Sequence, residues 1–445
     1  MSKKKSKAEN DIAQAGLPGA DPHVEAPLIQ AGIDPDRLSI FKFGQKPLSV
    51  TPHLSPWTKR LLLGLILWLS SEFLQATGIL PESFFHASLS LLIGLIVLQV
   101  ACEALLKATE RIAARLHWNH YVAGTVAEIL STIPELVVIA FVIPVSPVVA
   151  FIITLVTIYN NALVFSLYSY FLPKDKHGKF LMPKPITEAG TQILIGGGAM
   201  GLILGLVMLA FTSEPPTKNS FMPIDLVFIS FFLLIIFIVY TYKLVTSYAQ
   251  EEDEVRESLG MSKSDIRQRL EIVYEDVTDN STAHIAGLLL IGIIGAVLGG
   301  EQVSEFARAM VSELAVNPIL TALILAVFAG MSEYVIVWKS HQKKEYGIAL
   351  ANAFGGITQV MFLVFPFTLL GIAVYQLFIN PGHVELPISF SLSNIFLLLF
   401  LFPTFYILTS LLEKDHTLGI LDTVIMSGVF LFLIVLLVSY GASVG

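Results

Sequence analysis

Runs of about twenty apolar residues, separated by short polar connections, recur through most of this chain. That is the length an α-helix needs to cross about 30 Å of hydrocarbon. The runs fall near 61–79, 85–106, 121–142, 148–171, 191–211, 224–248, 284–311, 318–338, 346–376, 389–411 and 419–441. The pattern predicts an all-α integral membrane protein with eleven transmembrane helices. The run at 346–376 is longer than one straight crossing requires and contains Pro366, which predicts a bend or tilt.

Lysine and arginine set the orientation, because basic residues collect in cytosolic connections. The N-terminal tail carries Lys3, Lys4, Lys5, Lys59 and Arg60, and the second connection Lys107, Arg111 and Arg115. The fourth carries Lys174, Lys176, Lys179 and Lys184, and the eighth Lys339, Lys343 and Lys344, with His341 read as solvated among them. Odd-numbered connections, such as Val145-Ser146-Pro147 and Asn380-Pro381-Gly382, are nearly free of basic residues. The N-terminus is therefore expected in the cytosol and the C-terminus on the opposite side.

Composition agrees with a membrane protein. The 445 residues are 54% hydrophobic and 14% charged, with a mean hydropathy of +0.73, where a soluble chain carries about 25% charged residues. The single cysteine, Cys102, excludes an internal disulfide framework and a four-cysteine metal site. Most charged residues lie in the loops and the tail, and the net charge of −8 implies no nucleic-acid partner. The expected partner is the bilayer, with no resident cofactor. Residues 1–57 read as a disordered cytosolic tail. Residues 249–283 open with Glu251-Glu252-Asp253-Glu254, and Ile266, Leu270 and Val273 supply one apolar helical face. This segment reads as a solvated linker helix or a cation-sensing element, and it divides the chain into two sets of five spans.

Those two sets are related. Glu135 and Asn161 are 26 residues apart, as are Glu333 and Gln359, and the second pair lies 198 residues after the first. The same shift carries Glu103 onto Glu301, Asn119 onto Asn317 and Val137 onto Val335. Ionisable groups are costly inside a bilayer, so their recurrence at matched positions points to function. Five spans per unit is odd, so the copies must run in opposite senses through the membrane, with a site near the midplane between them. The predicted organisation is a tail (1–57), an extra first span (58–82), a first five-helix repeat (83–248), the acidic linker (249–283) and a second repeat (284–445).

Each copy combines acid, amide and hydroxyl groups. The first has Ser131-Thr132-Ile133-Pro134-Glu135 followed one span later by Asn160-Asn161. Pro134 removes a backbone donor and crowds the Leu130 carbonyl, so the helix should bend or unwind there. Freed carbonyls at that depth are tolerated only where they line protein or a water-filled cavity. The second copy has Ala329-Gly330-Met331-Ser332-Glu333, then Thr358-Gln359. Two carboxylates with amides, hydroxyls and carbonyls form an all-oxygen set suited to Ca2+, with Glu135 and Glu333 as the charged ligands. No His or Cys lies beside them in sequence to favour Zn2+ or copper. Two carboxylates about 4 Å apart repel by about 4 kcal/mol at an effective dielectric of 20, so an empty, doubly ionised site is disfavoured and exchange becomes obligatory. A lone buried glutamate is often a structural hydrogen-bonding residue. Glu128 reads equally as structural or accessory, and Glu103 and Glu301 as vestibule residues or as solvated helix ends.

These residues resemble the calcium/cation antiporter superfamily, which includes sodium/calcium and calcium/proton exchangers. Ser131-Thr132-Ile133-Pro134-Glu135-Leu136-Val137 is similar to the T-S-x-P-E-L-V signature of sodium/calcium exchangers. Gly355-Gly356-Ile357-Thr358-Gln359 is similar to the G-S-A-T-Q of calcium/proton exchangers, whose eleven spans and acidic cytosolic helix match the layout over about residues 85–441. The resemblance implies that Glu135 and Glu333 are the central cation ligands, with Asn161 and Gln359 completing the site. The G-N-A-x-E signature of calcium/proton exchangers is absent, and Tyr334 stands where a histidine is usual. The implied activity is Ca2+/H+ antiport, with Na+-coupled exchange as the alternative. No channel filter motif and no H-E-x-x-H protease helix is present.

Overall fold

The computed structural model describes residues 56–77, 84–116, 126, 128–212, 220–248, 281–314, 316–342, 346–379, 388 and 390–441. The expected tail, apart from Pro56 and Trp57, and nearly all of the acidic linker lie outside the described residues.

Helix α1 (Pro56–Ala76) packs along α2 (Phe84–Leu116), which in turn makes the most extensive helix contact of the described residues with α7 (Thr282–Arg308). Small residues explain that intimacy, since association in lipid relies on close backbone approach. A Cβ on Gly94 would stand 2.8 Å from the Gly299 carbonyl oxygen, and one on Gly292 would strike Leu105 at 2.6 Å. Helix α3 (Ile133–Val142) lies against α7, and α4 (Pro147–Tyr168) contacts α8 (Pro318–Ala329), α10 (Tyr346–Gln359) and α14 (Ile420–Gly441). Between α8 and α10 runs α9 (Met331–Gln342). Helix α5 (Thr191–Thr212) packs against α12 (Leu392–Leu399) and α13 (Leu401–Glu413), and α6 (Pro223–Lys243) against α11 (Phe365–Val374).

Local chemistry fixes several helix starts. Ser146 accepts from the Val149 amide at 3.3 Å and Asn317 from the Ile319 amide at 2.8 Å, and each is followed by a proline in the first turn. Within the spans, Thr154, Thr157, Ser166 and Ser230 donate to carbonyls four residues back, so their hydroxyls are satisfied without water.

Among the described residues, eight helical stretches are long and apolar enough to cross a membrane. Large apolar side chains such as Phe228, Phe231, Phe232 and Ile238 of α6 face outward, as a lipid-facing surface requires. The chain is an all-α integral membrane protein. Three predicted runs are not among the eight. The first forms α1, which carries Lys59, Arg60 and Glu72 within its 21 residues. The runs at 121–142 and 318–338 are interrupted at Thr132 and Gly330, and part of the former lies outside the described residues. The long run at 346–376 holds a π-helical turn at Val360–Val364, immediately before Pro366. The proline cannot donate to the ladder, and the widened turn takes up the mismatch.

Burial identifies the centre. The most apolar 18 residues within Pro147–Phe171 are 83% buried and those within Ala349–Ile379 72%, whereas those within Pro223–Thr246 are 22% buried and peripheral. The two central stretches carry Asn160-Asn161 and Thr358-Gln359. A two-residue antiparallel pairing, β1 (Phe180–Leu181) with β2 (Thr417–Leu418), ties the loop after α4 to the one after α13, and Lys179 is hydrogen-bonded to Asp415 beside it.

Candidate cation site

Both glutamates occupy the first turn of a helix that begins at a break. Thr132 is a turn residue, α3 starts at Ile133 with Pro134 in its first turn, and Glu135 follows. A proline costs little there, because first-turn amides have no intrahelical acceptor in any case. In the second half α8 ends at Ala329, Gly330 is the turn, and α9 starts at Met331 with Glu333 in its first turn. The breaks at Thr132 and Gly330 are separated by the same 198 positions as the glutamates. Helix N-termini carry partial positive charge, so each carboxylate sits where the backbone favours an anion.

Glu135 and Glu333 are both buried, at 2% and 6% exposure, and each lies within electrostatic reach of the other. Two hydrogen bonds join the halves around them. Asn161 Nδ2 donates to Glu333 Oε2 at 2.7 Å, and the Thr132 hydroxyl is hydrogen-bonded to Gln359 Oε1. Tyr334 donates to Asn161 Oδ1 at 3.4 Å, a long contact that steadies the amide. Neither oxygen of Glu135, nor Asn160 Nδ2, has a hydrogen-bond partner among the described residues. Ser131 and Thr358 donate to the carbonyls of Glu128 and Gly355 at 2.7 and 3.0 Å, leaving their oxygen lone pairs available.

Adjacent glycines on α10 make room for this chemistry. A Cβ on Gly356 would overlap Glu333 Oε2 and stand 2.8 Å from Asn161 Nδ2. A Cβ on Gly355 would overlap the carboxyl of Glu128, so Glu128 reaches the helix that carries Gln359. A Cβ on Gly330 would meet the Tyr334 hydroxyl at 2.6 Å and Asn161 Oδ1 at 3.1 Å. The available sequence signal was a pair of glycines inside a helix, where each costs about 1 kcal/mol relative to alanine and needs a packing reason.

Residues 284–439 match the family described as "Sodium/calcium exchanger protein". The matched residues fall within the second predicted repeat, 284–445. It shares its fold with the structure titled "Crystal Structure of H+/Ca2+ Exchanger CAX", at a TM-score of 0.59 and 13% identity, covering 85% of this chain and 89% of that one. "Structure of native YfkE" is similar at a TM-score of 0.54 and 12% identity, over 86% of this chain and 99% of that one. No curated protein sequence matches the chain. Members of the sodium/calcium exchanger family are transporters rather than enzymes.

The remaining predicted residues of the chain lie in varied surroundings. Glu103 accepts from Arg60 at 3.1 Å, with its side chain 14% exposed, in an ion pair that fastens α1 to α2. Trp57 reinforces the contact by donating to the Val100 carbonyl at 3.2 Å, with Lys107 over its ring at 4.7 Å. Glu301 is exposed on α7, and its carbonyl accepts from Ser304. The Ser332 side chain lies outside the described residues. His341, expected in solvent, is half-buried instead, with the rings of Tyr168, Phe171 and Tyr346 centred 5.5 to 6.2 Å away. The aromatic neighbours come from the end of α4 and the start of α10, which the local sequence around His341 did not reveal.

Proposed function

We propose that the chain is a secondary antiporter that exchanges Ca2+, or a similar divalent cation, for H+ by alternating access. In this reading Glu135 and Glu333 are the charged ligands. Asn161, Gln359, Thr132, Ser131, Ser332, Thr358 and Asn160 supply neutral oxygens, and Glu128 is an accessory acid beside them. The observation that carries the reading is the meeting of two buried carboxyls at helix starts from opposite halves of the chain, tied across the divide by Asn161–Glu333 and Thr132–Gln359. We read those halves as inverted five-helix repeats, 83–248 and 284–445, in an eleven-span chain with a cytosolic N-terminus. The matched breaks at Thr132 and Gly330 support the repeat.

The chemistry follows from charge. A divalent cation neutralises both acids, two protons do the same, and an empty site leaves two like charges in a poorly solvated place. Only the filled forms cross readily, so inward passage of one cargo is coupled to outward passage of the other. The structurally similar CAX is described as an H+/Ca2+ exchanger, in agreement with protons as the counter-ion. The Thr132-Ile133-Pro134-Glu135-Leu136-Val137 segment supports Na+ as the alternative.

The deciding experiment is Ca2+ flux in vesicles holding the purified chain, under an imposed pH gradient or an imposed Na+ gradient. The expected result is saturable flux driven by the pH gradient and lost in Glu135→Gln and in Glu333→Gln. Flux driven by Na+ alone would transfer the reading to the sodium alternative. A Ca2+ leak that needs no counter-gradient would overturn antiport altogether.

A further inference from the structure

Glu135 also borders a cavity of about 20 Å3, whose walls include Gln99 and Cys102 of α2, Pro134 of α3, and Phe328 and Ala329 at the end of α8. Space of that size admits one water-sized guest. Gln99 and Cys102 are three residues apart on a helix and so share a face. The three chemically capable groups on the wall are therefore a carboxylate, an amide and a thiol, in an otherwise apolar lining. Glu135 is 2% exposed and has two oxygens without hydrogen-bond partners among the described residues. Cys102 is 4% exposed, and its Sγ lies 3.8 Å from the Ser131 carbonyl oxygen, a weak contact. A chain that offers only oxygen near Glu135 in sequence thus brings its one cysteine, 33 residues earlier, to the same chamber.

We propose that this chamber is a second metal position, which captures one thiophilic divalent cation between Glu135 and Cys102, with the Gln99 amide oxygen as third donor. Thiolate sulfur selects soft ions over Ca2+, so the position is distinct in chemistry from the oxygen site although it shares Glu135. On capture the Cys102 S–H bond breaks, a sulfur–metal bond forms, and the thiol proton leaves to water together with any proton that the Glu135 carboxyl carries; no oxidant or reductant is needed. The metal keeps its charge of two, balanced by the thiolate and the carboxylate. Capture rests on the cavity and its donors alone. Only its consequence, that a trapped soft ion blocks exchange by occupying Glu135, rests on the transport reading above.

The test uses the purified full-length chain, without a histidine tag, titrated with Cd2+. A sulfur-to-cadmium charge-transfer band should grow to saturation at one equivalent, with proton release. Because Cys102 is the only cysteine, the informative variants are on the other donors. Glu135→Gln should weaken Cd2+ binding by at least about tenfold and Gln99→Ala by several-fold, since each removes a ligand of the same ion. No band in the wild type, or equal Cd2+ affinity in wild type, Glu135→Gln and Gln99→Ala, would overturn the site. Should Glu135→Gln misfold, Gln99→Ala and protection of Cys102 from alkylation by Cd2+ in the wild type carry the same decision. Failure of Ca2+ flux with the cadmium band intact would count against the exchanger reading and leave the chamber standing.

Discussion

Asn161 fixes Glu333, donating from Nδ2 to Oε2 at 2.7 Å, while neither oxygen of Glu135 has a hydrogen-bond partner among the described residues. Two acids at equivalent positions of the sequence are therefore unequal in the fold. The symmetric partner for Glu135 would be Gln359, but its Oε1 is engaged by Thr132 instead.

The first prediction follows from that asymmetry. Asn161→Ala removes one neutral donor and one neutral ligand, worth about 1–1.5 kcal/mol, so apparent Ca2+ affinity should fall about tenfold with exchange retained. Thr132→Val should have a smaller effect, because the hydroxyl also has the Glu128 carbonyl as a partner at 3.1 Å. The check is the Ca2+ dependence of vesicle flux. Unchanged affinity in Asn161→Ala would show that the amide lies outside the binding shell.

A second prediction concerns Gly355 and Gly356. Adding a methyl group to Gly356 forces Glu333 and Asn161 aside, whereas one on Gly355 forces Glu128 aside. Overpacking of this kind costs about 1–3 kcal/mol. Gly356→Ala should abolish exchange in a protein that still elutes as a folded species. Gly355→Ala should lose part of its activity, and Glu128→Ala in the same chain should restore some of it, because the clash then has no partner. Additive losses in that double variant would show that the two residues do not share one space.

Much of the central geometry was legible in the sequence, and the reason is physical. Glu135, Glu333, Asn161 and Gln359 stand out because a polar group in an apolar run carries a cost that only a specific partner offsets. Pro134 announced the break at Thr132 through its missing amide hydrogen. Gly330 gave a weaker signal, since glycine permits a break without enforcing one. The seating of Glu128 against Gly355, the Arg60–Glu103 pair and the chamber with Gln99 and Cys102 were not legible. Each depends on how helices far apart in sequence cross, and the crossing of α2 and α7 is set by close contacts such as Gly94 with Gly299. Periodicity reports which face of a helix is apolar, but not which residue of another helix will meet it.

Glu103 yields a third prediction. Its partner Arg60 is on α1, the span that lies outside the proposed repeats, so the pair should act on the docking of that helix rather than on cation capture. Partly exposed pairs contribute about 0–1 kcal/mol. Arg60→Ala and Glu103→Gln should therefore lower thermal stability slightly and to similar extents, and the double variant should be no worse than either alone. Ca2+ affinity should stay as in the wild type in all three. A loss of affinity in Glu103→Gln that Arg60→Ala does not reproduce would return Glu103 to the cation path.

The last prediction separates the loops from the pH dependence of exchange. Asp415 is hydrogen-bonded to Lys179 next to the β1–β2 pairing, and that ammonium, with help from Thr417, holds its carboxyl down to about 2. The ordinary value for an aspartate in an unfolded chain is about 3.9. A carboxyl whose folded value is depressed contributes stability that is complete above the unfolded value and fades as pH falls through the folded one. The Asp415 contribution is thus constant from about pH 5 upward and disappears only in strong acid. Asp415→Asn should leave the shape of the flux-against-pH curve unchanged between about pH 5 and pH 8, and should make acid unfolding less steep at the low end. If the flux profile of that variant shifts within the neutral range, the loop tie is coupled to the transport cycle, and proton sensing is not confined to the two buried acids.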